Sequence, residues 1–187
     1  MKTYNNKDVY TAAKERIEYI FDEFEHICIS FSGGKDSGTV LNMCIDEARK
    51  RKRKIGVLFI DLEAFYKKTI EFVERMLENN KDVLEPYWIC LPMESPNSLS
   101  YLEPTWIWWD KEKEPIWVRP MPKNAYVINE ENNPLDFYKK NMPFEEFIKQ
   151  IIKFIVIFLK FTVVSPNIFY TPIVYRIKII YTFIYFS

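Results

Sequence analysis

The chain has 187 residues with 26 basic and 26 acidic side chains, so its formal net charge is zero. That length suits one ordinary domain and leaves little room for a second complete one. A neutral balance gives no support for a nucleic-acid binder driven by bulk charge. The charges are unevenly spread, because every acidic residue lies before residue 151 and the last 37 residues hold four basic residues and no acid. The sequence therefore falls into two compositional zones, 1–150 and 151–187.

Val9, Ala12, Ala13, Ile17, Ile20, Phe21 and Phe24 recur at helical spacing, and Asp8 precedes them as an N-cap. The run His26 to Phe31 is short, apolar and β-branched, and it ends at a Ser-Gly-Gly turn, which fits a buried parallel strand. Helical periodicity returns from Ser37 to Arg53 and ends in the basic run Arg49 to Lys54, read as a solvated helix end. Ile55 to Asp61 reads as a second buried strand, Phe65 to Asn79 as a helix, and Tyr87 to Pro92 as a third strand. Strand and helix alternating at this pitch predict an α/β fold, doubly wound, with a mostly parallel sheet and flanking helices. Ligands of such sheets bind at the carboxyl ends of the strands, where Ser32 and Asp61 stand.

Regular periodicity stops between residues 95 and 133, a stretch rich in proline that contains Trp106, Trp108, Trp109 and Trp117. An insertion this long inside a domain is a functional loop or a small subdomain. Its tryptophans suit either a partner surface or the subdomain's own core. Pro143 to Gln150 begins a further helix with proline in its first turn.

The zone 151–187 is built almost wholly from Ile, Phe, Tyr, Val, Lys, Thr and Asn. Its longest apolar run, Ile151 to Val164, is short of a membrane span and carries Lys153 and Lys160. These residues have AT-rich codons, so the zone is read as an aberrant apolar tail, out of frame or ending a truncated domain, with a membrane anchor as the alternative. Cys28, Cys44 and Cys90 form no CxxC pair and are read as packed small hydrophobes, and the single His26 as a structural or solvated side chain. With no signal-peptide pattern at the first residues, a cytoplasmic location is expected.

The chemistry concentrates in Ser32-Gly33-Gly34-Lys35-Asp36-Ser37. Two residues without Cβ atoms let the backbone turn its N–H groups inward, and the helix that follows adds unpaired N–H groups and a positive dipole end. Ser32 and Ser37 add hydroxyls and Lys35 a charge, which together suit phosphate, pyrophosphate or sulfate. A Walker A loop needs glycine where Ile29 stands, and a GxGxxG fingerprint cannot be built from Gly33, Gly34, Gly38 and Gly56.

The SGGxDS pattern resembles the PP-loop superfamily of N-type ATP pyrophosphatases and phosphoadenosine-phosphosulfate (PAPS) reductases. The helix ahead of the first strand, Phe31 to Ser37, and the strand ending Phe59-Ile60-Asp61-Leu62-Glu63 are most similar to the PAPS reductases. The segment Trp117-Val118-Arg119-Pro120 looks like an uncharacterised PAPS-reductase-like branch in bacteria and their prophages. The resemblance covers about residues 1 to 150 and implies an adenine nucleotide alpha hydrolase-like fold. It implies that Ser32, Gly33, Gly34, Asp36 and Ser37 hold the phosphate or sulfate end of ATP or PAPS. Lys35 fills the motif's variable position and contributes by charge. Asp61 would face the nucleoside or a Mg²⁺ ion, or else cap the following turn. The reductases' C-terminal cysteine and downstream basic motif have no counterpart in the sequence, so the resemblance implies nucleotide binding more directly than sulfate reduction.

Three functions follow as expectations. The first is an enzyme acting on a phosphosulfate or on the α–β phosphate bond of ATP. The second is a non-catalytic nucleotide-binding regulator of the prophage coactivator type, with the tryptophan segment as its protein-partner surface. The third is a tRNA-modifying ATP pyrophosphatase, which fits the loop but lacks CxxC pairs and positive charge.

Overall fold

The computed structural model describes residues 7–157 and 162–164. Its first helix, α1, runs Val9–Glu23 and is capped as its sequence predicts, with the Asp8 carboxylate accepting from the Thr11 N–H. Strand β1 (Ile27–Ser30), helix α2 (Lys35–Lys50), strand β2 (Ile55–Ile60), helix α3 (Lys67–Asn79) and strand β3 (Leu84–Ile89) follow in chain order. Two later pieces complete the sheet, β6 (Val127–Ile128) and β7 (Thr162–Val164), between which lies α4 (Phe144–Ile157). The five strands lie in the order β6-β3-β2-β1-β7, and every pairing is parallel. The order reverses at β1, because β2 and β3 build to one side and β7 to the other. That reversal is the topological switch point of an open α/β sheet.

Strand alternation divides the core in two. Ile27, Ile29 and Phe31 join Ile55, Val57 and Phe59 beneath the apolar stripes of α1, α2 and α3. Cys28, Leu58 and Ile89 face the other way, onto Leu135, Met142, Phe147, Ile151 and Ile155. Helices thus cover both faces, as a sheet of nearly continuous apolar strands requires.

Four features differ most from the sequence reading. The third strand starts at Leu84 rather than Tyr87, taking in Pro86 opposite Val57. β6 pairs only with Trp88 and Ile89, so the first half of β3 lies on an open edge where a proline is tolerated. Within 95–133 the chain forms an antiparallel hairpin, β4 (Met93–Pro96) with β5 (Thr105–Trp108), then a 3₁₀ turn over Lys111–Ile116. The basic helix end is not simply solvated. Arg49 bonds Asp82 and Asn80, Arg51 bonds Glu47, and Arg53 donates to the carbonyls of Phe21 and Phe24, which ties α1 to the end of α2.

The fourth difference is the change of zone at residue 150, which falls inside α4. Ile151 and Ile155 are buried in the second core cluster, because the helical spacing of apolar residues runs on past Gln150. β7 lies parallel to β1, with Thr162 opposite Ile27. Residues 165–187, most of the expected anomalous tail, lie outside the described residues.

Candidate anion-binding loop and the Asp61 centre

The loop leaves β1 at the switch point and enters α2. Gly33 has φ +74°, a left-handed conformation, and a Cβ built there would stand 2.7 Å from Thr69 Cγ2 and 3.0 Å from Val73 Cγ2. Both the backbone angle and the close approach of α3 therefore call for glycine at this position. Gly34 is the N-cap of α2 and brings no side-chain hydrogen bond, so the first turn of this helix keeps its N–H groups free of a side-chain cap. The hydroxyls of Ser32 and Ser37 are 2.9 Å apart, Ser37 Oγ donates to the Gly34 carbonyl at 3.1 Å, and the Gly34 N–H reaches Ser32 Oγ at 3.4 Å. Ser37 is buried, while Ser32, Gly34, Lys35 and Asp36 are exposed. The loop is thus held open from within by its two serines, with its charged residues in solvent.

Six of the seven expected site residues are therefore together. The seventh, Asp61, is close in topology and different in kind. β1 and β2 are neighbouring parallel strands, so the loop that leaves β1 and the Asp61 that follows β2 both lie at their carboxyl ends. Asp61 is fully buried, and protein donors surround its carboxylate. Oδ1 accepts from the Glu63 N–H at 3.0 Å and from Arg119 Nη2, while Oδ2 accepts from Trp88 Nε1 at 2.9 Å and from the Cys90 thiol at 3.8 Å. The sequence reading left Asp61 either facing a nucleoside or Mg²⁺ or capping the following turn, and protein donors occupy its carboxylate oxygens. The alternative, a cap on the following turn, is what the Glu63 N–H shows. Burial pushes the Asp61 carboxyl above the ordinary range, against the pull of Arg119, the Trp88 indole and the Glu63 amide toward the charged form.

The same corner pins the insertion to the sheet. Trp109 Nε1 donates to the Asp61 carbonyl at 2.7 Å, and the Val118 N–H donates to Glu63 Oε1 at 2.7 Å. The Arg119 guanidinium lies over the Trp109 ring at 5.0 Å, and Trp117 packs edge-on against Trp109. Trp109 is thus buried in the main core, and the partly buried Trp117 packs against it. The indole of Trp106 instead receives the Lys113 ammonium at 4.1 Å.

Sequence reasoning singled out Trp117 to Pro120 as a resemblance but gave Glu63, Trp88 and Arg119 no place in a site. One signal was available. An Asp closing a buried strand needs a cation or several donors, and Arg119 lies in a tryptophan-rich stretch suited to shield such a pair.

The three cysteines are buried and free, and burial pushes the Cys28 and Cys44 thiols up to about 12, which suits packed small hydrophobes. The His26 side chain is partly exposed, 4.0 Å from Glu25. Among the described residues no group of three or more His, Cys, Asp or Glu side chains could hold a metal ion. Among the same residues, no helix is long and apolar enough to cross a membrane.

Sheet order and loop position define an α/β protein of Rossmann-like architecture with a glycine-turned loop at its switch point. No family model matches the chain. It is 40% identical over 144 residues to the uncharacterised protein YbdN of Escherichia coli (strain K12). The matched segment covers 76% of this chain and 34% of YbdN, so the chain spans about a third of the length of the curated relative it matches.

Proposed function

We propose that the Ser32–Ser37 loop binds the phosphate or sulfate end of an adenine nucleotide, ATP or PAPS, in a PP-loop fold like that of the PAPS reductases. The observation that carries this reading is Gly33, whose left-handed turn and contact with α3 deliver the chain into a helix start without a side-chain cap. A glycine turn of this kind at a sheet's switch point is a physical recipe for an anion cradle. The first-turn N–H groups donate to the anion, the Ser37 hydroxyl holds the turn through the Gly34 carbonyl, and the exposed Lys35 adds attraction. Two reactions suit such a site, cleavage of a phosphosulfate or attack at the α–β phosphate bond of ATP. Turnover with ATP or PAPS, followed as release of pyrophosphate or sulfite, tests them. Release of neither, with binding intact, removes the enzymatic form of the proposal.

A second reading, a nucleotide-binding regulator that acts through a protein partner, draws on the β4–β5 hairpin. Its tip holds Leu99, Tyr101 and Leu102 at 96, 102 and 94% exposure. Apolar residues clustered this openly suit an interaction surface. Nucleotide binding without turnover, together with a co-purifying protein lost on L99S/L102S substitution, supports this reading.

A further inference from the structure

An arginine side chain offers five N–H donors in a rigid plane and nothing that accepts. Arg119 spends Nη2 on Asp61, and its side chain is only 9% exposed. Its Nε and Nη1 are buried and have no hydrogen-bond partner. A buried charged donor without an acceptor is costly, and such groups in folded proteins ordinarily have a use. The aromatic wall at Trp109 holds the guanidinium plane but supplies no acceptor for these nitrogens.

Position gives the use. Odd-numbered residues of β1 and β2 point to the face covered by α2 and α3, as Ile29, Phe31, Val57 and Phe59 do. Asp61 continues that alternation at the carboxyl end of β2, and its carboxylate bonds Trp88 of the same cluster. Gly33 lies in the loop that leaves the neighbouring strand, against Thr69 and Val73 of α3. Neighbouring strands run about 4.8 Å apart, so the Asp61–Arg119 pair and the loop share one corner of the molecule.

We infer that Arg119 is a second anchor of the loop site, giving Nε–H and Nη1–H to a phosphate or sulfate oxygen of the nucleotide held by Ser32–Ser37. Asp61 is then a positioning residue. It touches no ligand, holds the guanidinium through Nη2, and fixes the insertion through its own carbonyl and Trp109. The insertion is thereby part of the binding site, because it adds a buried cation to the exposed Lys35 of the helix start. This inference rests on the nucleotide reading of the loop.

The test is titration calorimetry of the full chain with ATP and with PAPS, on the wild type, R119Q and the double variant D61N/R119Q. R119Q weakens binding of the preferred nucleotide about ten- to a hundredfold, the loss expected for hydrogen bonds to a charged partner. It also leaves Asp61 buried without its cation and lowers stability. The double variant removes both charges, so it regains stability but not affinity. Recovery of wild-type affinity in the double variant, or R119Q binding as the wild type does, overturns the inference and leaves the loop reading standing. A wild type that binds neither nucleotide overturns both. Should the variants fail to fold, the Arg119 Nε–H resonance of ¹⁵N-labelled wild type decides. It shifts on saturation with nucleotide if Arg119 is an anchor, and a resonance that stays in place overturns the inference.

Discussion

The loop at β1 and the centre at Asp61 occupy adjacent strand ends and use opposite physics. The loop is exposed and its hydrogen bonds are internal, between Ser32, Gly34 and Ser37, so its outward donors remain free. Asp61 is sealed, with every contact a protein donor. One strand end leaves backbone donors toward solvent, and the next holds the architecture that surrounds it. The difference follows from side-chain size. Two glycines keep the first backbone bare, whereas Trp88, Trp109 and Arg119 close over the second.

The largest effect that would break this contrast comes from Asp61→Ala. It strips a buried cation of its partner and leaves the Trp88 indole unpaired, so unfolding free energy falls by about 3–5 kcal/mol in urea denaturation. A loss below about 1 kcal/mol would mean that the centre is not the clasp described. Gly33→Ala comes next. A methyl group 2.7 Å from Thr69 at positive φ costs about 1–3 kcal/mol and abolishes nucleotide binding. An unchanged affinity would separate the turn from the site.

Ser37→Ala removes the hydroxyl that links Ser32 and Gly34, at about 1 kcal/mol in stability and about tenfold in nucleotide affinity. Lys35→Ala has the smallest effect. Because this side chain is exposed, stability stays within about 0.5 kcal/mol while affinity falls a few-fold, more at low salt than at high.

The two regions also separate by pH. The native Asp61 carboxyl titrates above its unfolded value of 3.8, so the folded state binds the proton more tightly than the unfolded state. Its contribution is fully present below that unfolded value and is lost as pH rises through the raised native one. Asp61→Asn mimics the protonated form. The stability difference between this variant and the wild type therefore moves in favour of the variant as pH rises from below 3.8, and then levels off. A difference that is flat or moves the other way contradicts the burial-dominated account. The Ser37→Ala variant, which changes no titratable group, shows no such trend relative to the wild type.

What the sequence revealed and what it hid divides along the same line. The β1–loop–α2 unit was legible because each part is local: an apolar run, glycines at the turn, and helical spacing behind. α1 and its Asp8 cap were legible for the same reason. The Asp61 centre was not, since its partners Trp88, Trp109 and Arg119 come from a different strand and a segment without periodicity. Alternation and spacing carry no information about pairings across such distances. The start of β3 was misplaced because Pro86 reads as a break, and only an open edge tolerates it. The change of composition at residue 150 falls inside α4, because helical spacing runs across it. Ile151 and Ile155 keep the phase set by Phe147.

The central claim is that the loop, through Gly33, is an anion cradle for a nucleotide. Titration calorimetry of ATP and PAPS into the wild type and Gly33→Ala, with folding of both checked by circular dichroism, tests it most directly. The account predicts saturable one-to-one binding of at least one nucleotide to the wild type and none to a folded Gly33→Ala. No binding to the wild type, or equal binding to the two proteins, contradicts it.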